Sequence, residues 1–200
     1  MSLISGLIIK SERIPVSLRA GLLILSGVFL LGLSDNLVLL INDETGIWQF
    51  HAIRSLITSI LIFGIAVLFR HDVRPKNLLP VVIRSLLLSG AMICYFGGLS
   101  FLSVAEAGAG LFLSPIFVLI FSVIIFKIRI GVFRIFAVLI GSLGAFILLE
   151  PDLTKIHLLQ IIPLLAGAFY AMAALYTRHY CREESALGLT LSYLIAIGVI

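Results

Sequence analysis

Apolar runs of about twenty residues alternate with short polar loops along nearly the whole chain. The pattern predicts helices at about Leu18 to Ile41, Trp48 to Phe69, Leu78 to Leu99, Ala105 to Phe126, Phe133 to Leu149 and Leu158 to Thr177. Most are long enough to cross a bilayer core of roughly 30 Å. Leu3 to Ile9 is apolar but too short to span. Leu187 to Ile200 stops after about fourteen residues, short of a spanning length, so the chain is expected to halt inside a seventh span. The pivotal stretch is Ala105 to Pro151, two apolar runs hinged by a basic loop. Its first run opens on Ala105, Ala107, Gly108, Ala109 and Gly110 and carries Ser114-Pro115 at mid-span. Neighbouring helices can hold such a break in lipid.

Composition agrees. With 61% hydrophobic residues, 12% charged residues and a mean hydropathy of +1.23, no soluble core accounts for the apolar surface. The net charge of +4 does not point to nucleic acid, because the cations are scattered over short loops without interleaved aromatics. Cys94 and Cys181 are too few and too differently placed for a disulfide framework and are expected to be reduced and structural. Lys10, Arg13 and Arg19 before the first run imitate a secretory signal, but the run continues to Ile41 with no small-residue cleavage pattern before Asp35. It reads as an uncleaved span.

Loop charge predicts orientation. One set of loops carries Lys10, Arg13 and Arg19, then Arg70, Arg74 and Lys76, then Lys127, Arg129 and Arg134, then Arg178 and Arg182. The alternate set carries Asp43 and Glu44, then Glu106, then Glu150, Asp152 and Lys155. The excess of cations places the N-terminus in the cytoplasm of a multi-pass inner (plasma) membrane protein. Ser26-Gly27-Val28-Phe29 in the first span answers Ala166-Gly167-Ala168-Phe169 in the sixth, five spans later and therefore inverted.

Ionisable residues within apolar runs mark the candidate site, because charge is costly in lipid. Asp35 and Arg54 each lie about six residues, roughly 9 Å, from the outer ends of adjoining spans. They are placed to meet either as a pair fixing helix register or as groups facing a pathway. His51 lies one turn before Arg54 on the same face, as an interfacial residue or a proton relay. Arg84 is near enough to the cytoplasmic end to snorkel to the headgroups. Glu106 sits at the outer start of the fourth span, either solvated or in contact with solute. Ser114-Pro115 frees a carbonyl near Leu111 that could serve a solute or merely accommodate a kink, and Pro163 is similar. Asn36, Ser89, Tyr95, Tyr170 and Tyr176 are further polar candidates. Small residues at Ala137, Gly141 and Ala145, at Gly90 and Cys94, and at Gly110 and Ser114 allow close packing within a bundle or a homodimer interface.

No catalytic group is assigned. His51, His71, His157 and His179 are dispersed without acidic partners at ligand spacing, and phosphate-loop and nucleophile-elbow motifs are absent. The expectation is a non-enzyme with no metal and no cofactor.

Trp48 to Arg54, Leu113-Ser114-Pro115-Ile116-Phe117, Gly141 to Pro151 and Ala166 to Arg178 occur in an order that resembles the EamA-like members of the drug/metabolite transporter superfamily. The resemblance implies an all-α polytopic transmembrane bundle of ten helices in two inverted five-helix repeats. Residues 1–17 would form a cytoplasmic segment, 18–151 the first repeat and 157–200 the start of the second, with about three spans expected beyond Ile200. It implies secondary transport of a small organic metabolite by alternating access. Where the family often carries a Gly-Glu-Arg-like motif after the fourth span, this chain has Phe126-Lys127-Ile128-Arg129, with Ile128 near the acid's place. The competing reading is a non-transporting membrane protein that packs its small-residue faces against partner helices.

Overall fold

A computed structural model describes residues 15, 18–27, 29–30, 46–149 and 161–199. Among these, every regular element is a helix: α1 (Leu18–Gly27), α2 (Ile47–Leu68), α3 (Leu78–Gly98), α4 (Val104–Phe112), α5 (Ser114–Ile124), α6 (Val132–Leu149), α7 (Ile161–Tyr180) and α8 (Ala186–Val199). Residues 1–50 and 51–200 form two compact units. In the first, α1 exposes its apolar side chains, Leu23 at 71%. Asp35, Asn36 and the remainder of the first expected span lie outside the described residues.

In the second unit α7 is the hub, packed by α3, α4 and α5, while α8 lies on α3 and α6 on α4 and α5. Among the described residues, three stretches are long and apolar enough to cross a membrane: Leu78–Gly98, Ile161–Tyr180, and Glu106–Ile124, which runs through the α4–α5 break. Phe133 is 94% exposed and Ile140 70%, as expected of helix surface that faces lipid rather than water.

Local chemistry sets the ends. Ser103 caps α4: its hydroxyl accepts from the Glu106 N–H at 3.3 Å, while Glu106 Oε2 accepts from the Ser103 N–H at 2.9 Å. Pro115 lies in the first turn of α5, where its missing N–H costs least. The fourth span is thus two helices meeting at Leu113. At the end of α2, Arg70 adopts φ 53° and the His71 N–H reaches back to the Ala66 carbonyl at 2.9 Å. This is a helix stop usually made with glycine. The sixth span runs to Tyr180, past the expected end at Thr177, with Arg178 and His179 in its last turn where the helix dipole favours cations.

The start of α3 is held from afar. Asn77 makes no side-chain cap; instead Glu184, in the α7–α8 loop, accepts the Lys76 and Asn77 N–H groups at 2.9 and 2.8 Å. A carboxylate at a helix N-terminus satisfies donors and dipole together. Glu184→Ala is expected to lower stability by about 1–2 kcal/mol, read by thermal unfolding in detergent, with Glu183→Ala as the near-neutral comparison. Equal effects would show that the clamp contributes nothing.

Candidate functional site

Helices α3 and α7 run antiparallel in a register that their contacts define. Gly98 faces Ile162 and Pro163, and Gly90 faces the Phe169 ring. Arg84 meets Thr177, and Val81 clusters with Cys181 and Leu189. As the position on α3 falls from Gly98 to Arg84, its partner on α7 rises from Pro163 to Thr177.

Arg84 is the cation of this seam. Its Nε donates to Thr177 Oγ1 at 3.2 Å and its Nη1 to the Leu189 carbonyl at 2.7 Å, joining α3 to α7 and α8. The Thr177 hydroxyl is itself oriented, donating to the Ala173 carbonyl at 2.7 Å. Tyr170 and Tyr193 lie within electrostatic reach. No described carboxylate forms an ion pair with Arg84. Two of the five guanidinium N–H donors are committed, so the remainder can take a further acceptor. The expected snorkelling is replaced by an inward hold, because Thr177 and Leu189 offer oxygens one helix away. Along the same helix Ser85 and Ser89 are buried, and their hydroxyls lack a partner among the described residues.

Cys181 closes the seam at its basic end. Burial pushes its thiol above the ordinary value, against the pull of the nearby Arg84 charge. A raised thiol pKa makes its contribution complete below the unfolded value, ~8.5, and lost as pH rises through the higher folded value. Alkylation at pH 7.5 is expected to be at least about tenfold slower than in denaturant. Equal rates would show an accessible, ordinary thiol.

The second feature is a backbone crossing. A Cβ built on Gly110 of α4 would strike the Pro163 carbonyl of α7, and one on Gly167 would strike the Gly110 carbonyl. Only two glycines let these helices meet so closely. The crossing lies one turn before the Leu113–Pro115 break, so the interrupted part of the fourth span rests on the hub helix.

Of the residues singled out from sequence, Arg54 is half-buried on α2 and within electrostatic reach of Tyr193 on α8. Ser55 beside it is buried against α8, 3.8 Å from where a Gly198 Cβ would stand. His51 lies on α2 one turn earlier. Glu106 belongs to the α4 capping box, Ser114 and Pro115 open α5, and Tyr170 is exposed on α7, within electrostatic reach of Arg84. Arg84 is the candidate joined by hydrogen bonds to both α7 and α8, whereas Glu106 serves a helix end. Asp35 lies outside the described residues. Sequence reading did not single out Thr177, Tyr193 or Ser85. The available signal was polar residues one turn apart, Ser85 and Ser89, beside a cation.

The EamA-like transporter family profile matches residues 18–150, well over half of the 200-residue chain. The chain belongs to the EamA-like transporter family. No curated protein and no solved structure matches it. Membership identifies this EamA-like chain as a membrane transporter of the drug/metabolite kind. The matched region takes in the α4–α5 break and Arg84, while the partners of Arg84, Thr177 and Leu189, lie beyond it.

Proposed function

We propose that this EamA-like chain carries a small organic solute across the inner membrane by secondary transport with alternating access. The family match over residues 18–150 carries the reading. The N-terminus and the basic loops are placed in the cytoplasm by the positive-inside rule. Residues 18–151 form one five-helix repeat, and 157–200 begin a second of opposite direction. The solute meets Arg84 through its uncommitted N–H donors, with Arg54 and Tyr193 further along the path and Tyr170 beside it. A guanidinium with no carboxylate paired to it among the described residues favours solutes bearing carboxylate or carbonyl oxygens.

The test compares metabolite levels in cells and medium with and without overproduction of the protein. A shift of at least one small organic solute between the two compartments is expected. A broad profile that does not move would overturn the reading.

A further inference from the structure

A different part of the molecule gathers cations around a cavity. At the basic end of the second unit a cavity of about 380 Å³ opens between α5, α6, α7 and the loops that follow α5 and α7. Four nitrogen-bearing side chains converge on it from three segments: Arg134 in the first turn of α6, Arg178 and His179 in the last turn of α7, and Arg182 in the loop beyond. His179 is placed there by its ring contact with Phe126 at 5.1 Å, which also ties the end of α5 to the end of α7.

Among the described residues none of the three arginines forms an ion pair. The acids nearest in sequence are engaged on the other side of the loop. Glu184 is committed to the start of α3, and Glu183 pairs with Lys76 at 3.7 Å. Three guanidiniums around one cavity repel each other unless an anion sits among them, and their planar donor forks match phosphate oxygens. Between the cations the wall is apolar, Leu175 and Ile130 among its residues, and the cavity lies where apolar helices end. Basic pockets between helix ends in this position suit lipid headgroups.

We propose that this cavity binds a phosphate-bearing anion, supplied either by an anionic phospholipid of the adjoining leaflet or by a free phosphate compound. The site is separate from the Arg84 seam and does not depend on the transport reading.

The test uses the whole purified protein in a zwitterionic detergent, titrated with phosphatidylglycerol, phosphatidylcholine or inorganic phosphate and read by native mass spectrometry and thermal shift. Phosphatidylglycerol is expected to bind about tenfold tighter than phosphatidylcholine. Arg178→Gln and Arg182→Gln should each weaken it about fivefold, while Arg129→Gln, off the cavity, should leave it unchanged. Displacement of the lipid by inorganic phosphate supports the site with a free phosphate compound as the source. Lipid binding that phosphate does not displace supports it with the phospholipid as the source. Equal binding of both lipids with no phosphate effect would overturn the proposal, as would wild-type binding by both arginine variants. Should a variant fail to fold, the wild-type comparison of the two lipids and phosphate decides.

Discussion

Gly110→Ala is expected to unfold the protein at a distinctly lower temperature, although it adds one methyl group. The new Cβ would meet the Pro163 carbonyl, a backbone atom that no rotamer change can move aside. Relief therefore requires α4 to back away from α7, and the crossing is tight from the other side too, since Gly167 faces the Gly110 carbonyl. Overpacking of this kind costs about 1–3 kcal/mol, and more where rigid backbone is on both sides. The comparison is Gly141→Ala on α6, where a Cβ meets nothing within 4 Å. There the substitution should be neutral or stabilising by about 0.5–1 kcal/mol, because alanine is the better helix former. Melting curves and the monodisperse fraction in mild detergent measure both. If the two alanines behave alike, the crossing is not a close one.

Arg84→Gln is expected to reduce transport roughly tenfold to a hundredfold while the protein still reaches the membrane. The glutamine keeps some hydrogen-bonding capacity but loses the charge and the fork that bonds Thr177 and the Leu189 carbonyl together. Arg84→Lys should fall between, since an ammonium keeps the charge without the planar geometry. Arg54→Gln is expected to impair transport in the same direction. The readout is flux of whichever solute the metabolite comparison identifies, normalised to protein in the membrane fraction. An inserted Arg84→Gln that transports like the wild type would remove this residue from the pathway. Removing a hydrogen-bonded, part-buried cation need not destabilise the fold, because its desolvation cost goes with it. The transport assay and the melting curve therefore answer different questions.

The ends of the second and third spans were legible to within a residue. Trp48 to Phe69 became Ile47–Leu68, and Leu78 to Leu99 became Leu78–Gly98. The break at Ser114-Pro115 was legible because proline lacks the donor that a continuous helix requires. Legibility failed where a residue's partner came from another helix. Arg84 looked free to reach the headgroups, and only the antiparallel register of α3 and α7 brings Thr177 within reach of it. Glu106, marked as a possible contact for solute, lies three residues from the serine that it caps. Here the partner is local, and the Ser-x-x-Glu capping pattern stands in the sequence itself. Glu184 could not have been assigned to the start of α3, more than a hundred residues away, without the loops being seen side by side.

By itself the sequence determined that the chain lies in a membrane, where the second and third helices begin and end, which loops carry the cations, and which family it resembles. All of these follow from local hydrophobicity, short-range backbone chemistry and the order of motifs. The tertiary structure decided which small residues touch, which cation is held inward and which cations share a cavity. Those depend on the rotation and register of one helix against another, and the apolar runs constrain them weakly because lipid-facing and helix-facing positions are almost equally hydrophobic.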